Sequence, residues 1–211
     1  MNPMSLFADD TPREGEFRIL TVCTGNICRS PLAETLLRMV LQRLPISIES
    51  AGTHALVGEP MTEQNQRIAS ELGVTDGAQH RARQLTVEHI RDADLVLALS
   101  REHRKAIVEM LPKASRTTFT LREFARLADA VTSAGTGSPD LADPGARMRA
   151  VVQEAAQSRG TVLAPANAED DDVVDPYRQS DAVYTESADQ LIPAVNATAA
   201  LLRHAAQNGV G

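Results

Sequence analysis

Tryptophan is absent from this chain of 211 residues, and two tyrosines and four phenylalanines are its only other large rings. A core so poor in rings must be filled by Leu, Val, Ile and Ala, which suits layered α/β packing and argues against an aromatic-rich β-sandwich. Cysteine is equally scarce. Cys23 and Cys28 are too few and too close together to staple a fold. No second Cys or His pair stands at ligand spacing, so they make a poor metal site as well. No apolar run approaches the ~18 residues of a membrane span. The start, MNPMSLFADDTPREGE, lacks the basic region and apolar stretch of an export signal. Positive charge is in deficit too, with 21 Lys and Arg against 28 Asp and Glu and a net charge of −7. That balance argues against non-specific binding to nucleic acid or to an anionic membrane, both of which need a positive field. The expectation is a cytoplasmic protein with neither nucleic acid nor membrane as a partner.

What is present alternates. FRILTV (17–22), ISIES (46–50), ADLVLAL (93–99) and RTTF (116–119) read as short buried strands. Between them, Ala33, Leu36, Leu37, Val40, Leu41 and Leu44 recur at helical spacing, with Glu34, Thr35, Arg38 and Gln42 on the opposite side. Residues 61–74 form a second helical stretch ended by Gly73, and 101–111 a third, stopped before Pro112. This pattern predicts an α/β fold, three-layer αβα with a central four-stranded parallel sheet, whose binding site lies at the carboxyl ends of the strands. Residues 1–16 read as a flexible tail, 17–207 as the domain and 208–211 as a second tail. From about 128 to 172 the texture changes to Ala, Ser, Gly and Pro around one surface helix, which reads as an insertion. A last helix follows, with Pro193 either in its first turns or kinking it.

The two cysteines share the turn VCTGNICRSP (22–31), between the first strand and the first helix. Such a turn points successive backbone N–H groups at one place, and the helix dipole makes that place favourable for an anion. Gly25 suits a tight approach and Asn26 tolerates a left-handed conformation. Ser30 and Pro31 suit a helix start. Arg29 adds a planar fork able to hold two phosphate oxygens. In that positive field the thiolate of Cys23 is favoured, and Ser30 can donate to it. A sulfur beneath a cradled phosphorus suits in-line attack without metal or cofactor, and an Asp opposite it would protonate the leaving oxygen.

VCTGNICRSP resembles the phosphate-binding loop of the low-molecular-weight protein tyrosine phosphatases. The resemblance continues, in the family's order, through ESAGT (49–53), HRARQL (80–85), ADLVLAL with REH (93–103) and VVDPY (173–177). It implies a phosphate-binding loop between first strand and first helix, and hydrolysis of phosphotyrosine through a cysteinyl-phosphate intermediate. By position it implies Cys23 as nucleophile, Arg29 as phosphate clamp and Asp175 as general acid and then base. Thr24, Gly25, Asn26, Ile27, Cys28, Ser30 and Tyr177 would line or cradle the substrate. Asn26, Ser50 and His80 would support the loop, and Cys28 would pair with the nucleophile under oxidation. The substrate class implied is a phosphotyrosine protein, with a bacterial tyrosine kinase as one candidate.

Two positions depart from the family pattern. After ESAGT the chain has HALVGEP in place of an aromatic wall, so Leu56 or His54 must line that side. Arg178 follows Tyr177 where relatives often carry Gly or another ring. The segment EDDD (169–172) reads as a solvated acidic loop, and His54, His89, His103 and His204 receive no role. Two rival functions share this scaffold: an arsenate reductase using a small-molecule thiol, and a catalytically silent binder of phosphorylated partners.

Overall fold

In the computed structural model, residues 15–75, 77–133 and 142–207 are described. The predicted tails therefore lie outside the described residues, apart from Gly15 and Glu16, as does the 134–141 part of the predicted insertion. Among the described residues, four strands form one parallel sheet: β1 (Phe17–Cys23), β2 (Ile46–Gly52), β3 (Leu95–Ala98) and β4 (Thr118–Thr120). Their order is β2-β1-β3-β4, with Phe17 opposite Ile46, Ile19 opposite Leu95 and Val96 opposite Thr118. β1 thus has its neighbours in sequence and in space on opposite sides, and the crevice of such a sheet opens beyond its carboxyl end.

β1 is buried on both faces, as a central parallel strand must be. Phe17, Ile19 and Cys23 join one apolar cluster; Leu20 and Val22 join another on the far side. The first cluster is covered by α1 (Arg29–Leu41), α5 (Leu121–Ser133), α6 (Pro144–Ser158) and α7 (Asp181–Gln207), the second by α3 (Val87–Asp92) and α4 (Arg101–Met110). A further helix, α2 (Glu63–Glu71), contributes Ala69 to the first cluster. In α5 the buried apolar residues include Leu121, Phe124, Leu127, Ala128 and Val131, and in α6 they include Met148, Val151, Val152 and Ala155. Both sets follow the i, i+3, i+4, i+7 rule for one apolar face. The predicted surface helix is therefore a core helix. Its buried Arg147 donates from Nε to Ala205 O at 2.9 Å and from Nη2 to Ala206 O, tying the last carbonyls of α7.

One helix was not anticipated, one pair of alternatives is narrowed and one expectation is corrected. The six-residue α3 is too short to show a period; Thr86 and His89 make it through a reciprocal cap. α7 begins at Asp181, which puts Pro193 well inside the helix. Glu34 and Thr35, expected on the solvent side of α1, are only 7% and 4% exposed, because the helix packs on that side as well. No helix among the described residues is long and apolar enough to cross a membrane.

Candidate active site

The turn after β1 is held from outside by its own carbonyls. Thr53 N donates to Cys23 O (2.9 Å), His54 N to Thr24 O (3.0 Å), Leu56 N to Gly25 O (3.0 Å) and Thr62 N to Ile27 O (2.9 Å). In a planar trans peptide the N–H points opposite to the C=O. Anchoring these four carbonyls outward therefore turns the N–H groups of Thr24, Gly25, Asn26 and Cys28 inward, towards one point. Asn26 makes the bend possible with φ 56°, while Gly25 does not adopt positive φ. The close approach is instead required at Gly52, where a Cβ would stand 2.4 Å from Thr24 O.

Beneath the turn runs a buried polar chain. Cys23 Sγ and Ser30 Oγ are 3.0 Å apart. Asn26 Nδ2 donates to Ser30 Oγ at 2.9 Å and to Ser50 Oγ at 2.8 Å, and its Oδ1 accepts from Arg83 N at 2.9 Å. Ser50 Oγ donates to Glu34 Oε2 at 2.5 Å, and Arg38 pairs with the other oxygen of Glu34. His80 Nε2 stands 2.7 Å from Asn26 O and its Nδ1 3.8 Å from Glu34 Oε2. Burial pulls the imidazole of His80 below its ordinary range, against the opposing pull of Asn26 O and Glu34. Ser30 does not cap α1, which starts one residue earlier at Arg29; its hydroxyl is taken by Cys23 and Asn26.

Above the turn, Arg29 is 5% exposed and reaches across the cleft. Its Nη1 donates to Val173 O at 3.1 Å and its Nη2 pairs with Asp175 Oδ2 at 2.7 Å, while its buried Nε has no hydrogen-bond partner. A guanidinium edge with one unused donor and one on a movable carboxylate suits a bidentate oxyanion. The cleft measures ≈ 230 Å³. Cys23, Thr24, Gly25, Cys28 and Arg29 form its floor; Ile27, His54, Leu56, Asp175 and Tyr177 form its walls and mouth. Both residues offered for the missing aromatic wall, His54 and Leu56, thus line it. Arg178, at φ 61°, lays its guanidinium 5.0 Å over the Tyr177 ring.

The structure brings Cys23, Arg29, Asp175, Tyr177 and the 24–28 turn to one cleft, and places Asn26, Ser30, Ser50 and His80 under it. Cys28 also turns its Sγ to within 3.8 Å of Tyr184 Oη. Burial pushes the Cys28 thiol up to about 11 despite the nearby Tyr184 hydroxyl, and burial likewise pushes the Tyr184 phenol up to about 12. Residue patterns missed three participants. Glu34 closes the polar chain, Gly52 admits the turn, and His103 links Thr24 Oγ1 (2.8 Å) to Ser100 Oγ (2.9 Å). Burial, helped by the charge of Arg29, holds the His103 ring down at about 3. The capping signal of Ser100 before α4 was in the sequence, but nothing there pointed the ring at Thr24.

Residues 18–145 match the family model described as low molecular weight phosphotyrosine protein phosphatase. A protein-arginine-phosphatase of Geobacillus stearothermophilus is 41% identical over 129 residues, which cover 61% of this chain and 78% of that protein. The low molecular weight protein-tyrosine-phosphatase Etp of Escherichia coli (strain K12) is 43% identical over 108 residues, 50% of this chain and 70% of Etp. Among solved structures, the YwlE arginine phosphatase from Geobacillus stearothermophilus superposes with a TM-score of 0.63 at 31% identity, covering 89% of this chain and 94% of that one.

Proposed function

Because the chain belongs to the low molecular weight phosphotyrosine protein phosphatases, a family of cysteine-dependent hydrolases, we propose that it hydrolyses phosphotyrosine on proteins, with Cys23 as nucleophile. The observation that carries this reading is the cradle itself: four carbonyls anchored outward turn the N–H groups of their peptides inward, and Arg29, its Nε unpaired, lines the same cleft as Cys23. Three equatorial phosphoryl oxygens are held there while the sulfur attacks in line. The S–P bond forms as the P–O bond to the tyrosyl oxygen breaks, and Asp175 gives that oxygen its proton. Water then attacks phosphorus, Asp175 takes its proton, and Cys23 leaves as thiolate with inorganic phosphate formed.

Asp175 has to move for this. In the free protein it sits on the Nη2 that an oxyanion would take. A bound phosphate displaces it towards the leaving oxygen, where Tyr177 N, now 3.2 Å from Asp175 Oδ1, keeps the loop turned inward.

Relatives include phosphatases of both tyrosine and arginine. The walls favour tyrosine. Ile27, Leu56 and Tyr177 offer flat apolar surface to a phenyl ring, whereas a phosphoguanidine would need acceptors for its remaining N–H groups. Asp175, the carboxylate on that cleft, is already assigned to proton transfer. The test is kcat/KM on matched phosphotyrosyl and phosphoarginyl peptides, with Cys23→Ser and Asp175→Asn alongside. Preference for the tyrosyl peptide and loss of turnover in Cys23→Ser are expected. Preference for the arginyl peptide would overturn the substrate assignment, and phosphopeptide binding without turnover by the intact protein would favour the silent-binder reading.

A further inference from the structure

Of the acidic segment before Asp175, Glu169 and Asp170 are exposed, but Asp171 and Asp172 are paired with arginines. Asp171 accepts from Arg126 Nη2 through both oxygens, at 3.1 and 2.9 Å. Asp172 receives Arg101 N at 2.7 Å, Arg101 Nε at 3.2 and 3.1 Å and Arg101 Nη2 at 2.9 Å. Arg122 Nη1 holds the backbone of the same residue, at 2.9 Å from Asp172 O. The next two residues are pinned as well: Val173 N donates to Leu99 O at 3.0 Å and Val174 N to Gln190 Oε1 at 2.8 Å. Asp171 and Asp172 keep only 17% and 25% of their side-chain surface in water.

The placement of the arginines matters. Arg101 opens α4, two residues after Leu99, whose carbonyl anchors Val173, and two residues later His103 holds Thr24 of the phosphate cradle. Arg122 and Arg126 are one turn apart on α5, so they present one face. The Asp175 loop is entered from a long connection through a short 3-10 turn (Ala168–Asp171), with no strand or long helix to aim it. Partly exposed ion pairs add little to stability, whereas proton transfer needs donor and acceptor placed to within a fraction of an ångström.

We propose that Arg101, Arg122 and Arg126 are positioning residues that clasp Asp171 and Asp172 and so aim Asp175 at the leaving oxygen. The proposal rests on Asp175 being the general acid. Its signature is a loss that depends on the leaving group, because p-nitrophenolate departs with little help and phenolate does not. The experiment measures kcat/KM for p-nitrophenyl phosphate and phenyl phosphate in wild type, Asp172→Asn, Arg126→Gln, Asp175→Asn and the double variant Asp172→Asn/Asp175→Asn, with melting temperature as the folding control. In the two clasp variants, phenyl phosphate hydrolysis is expected to fall about 30-fold and p-nitrophenyl phosphate hydrolysis about 3-fold, part of the ~100-fold or more that a general acid supplies. In the Asp175→Asn background, Asp172→Asn should cost less than about 2-fold. Equal losses on both esters, no loss, or a full additional loss in the double variant would overturn the clasp. A separate outcome marks the other failure: if Asp175→Asn itself harms both esters equally, Asp175 is not the acid, and the clasp falls with it. Should Asp172→Asn not fold, Arg126→Gln, acting on the other carboxylate, decides.

Discussion

At the scale of single residues, two residues with no role expected from the sequence bear on the cleft. His103 is enclosed between Thr24 and Ser100 and stays neutral until about pH 3. The unfolded chain takes up a proton on this ring near its ordinary value of 6.5, so between about 6.5 and 3 the unfolded state binds more protons and stability falls on acidification. The slope from this one group approaches ~1.4 kcal/mol per pH unit. Denaturant midpoints measured from pH 7 to 4 should therefore fall more steeply in wild type than in His103→Gln; parallel curves would contradict the neutral ring. Gly52 is the second. A methyl there meets the backbone oxygen of Thr24, which is not the far end of a flexible side chain. Gly52→Ala is expected to cost about 1–3 kcal/mol in a urea titration, and to slow p-nitrophenyl phosphate turnover by roughly 100-fold as the cradle shifts. Arg178 offers a third test. Its guanidinium stands at the mouth over Tyr177, and Arg178→Ala should lower kcat/KM severalfold on phosphopeptides with acidic neighbours while sparing p-nitrophenyl phosphate.

At the scale of elements, α7 depends on a residue from another helix. Arg147 of α6 donates to the carbonyls of Ala205 and Ala206, groups that a helix end otherwise leaves unpaired. Arg147→Met should strip those donors and lower stability by about 2–4 kcal/mol, read as a fall in melting temperature. The strands and long helices were legible because their apolar residues repeat with the period of the element. So was the cradle, since a Cys, five residues and an Arg between strand and helix leave little else to build. What was not legible is what short or long-range contacts decide. α3 owes its existence to one cap and not to a period. Glu34 sits on the polar stripe of α1, and only the approach of Ser50 and His80 from other elements makes it an interior group. Asp171 and Asp172 looked like a solvated acidic run because the arginines that neutralise them come from α4 and α5, 45 or more positions away.

At the scale of the whole molecule, charge and cleft disagree in sign. The chain carries −7 overall, yet its cleft converges N–H dipoles and a guanidinium on an anion. A dianionic phosphopeptide is therefore repelled at long range and attracted at contact. Because the Debye length shrinks from ~30 Å at 0.01 M to ~10 Å at 0.1 M salt, sodium chloride over that range should raise kcat/KM for acidic phosphopeptides; a steady fall would mean that the local positive field dominates at distance too. The scarcity of rings has an optical consequence. With tryptophan absent, intrinsic fluorescence arises from two tyrosines, and both flank the cradle: Tyr177 at the mouth, Tyr184 behind Cys28. Emission from the unlabelled protein thus reports almost wholly on the cleft, and a titration with inorganic phosphate can be followed without attaching a dye.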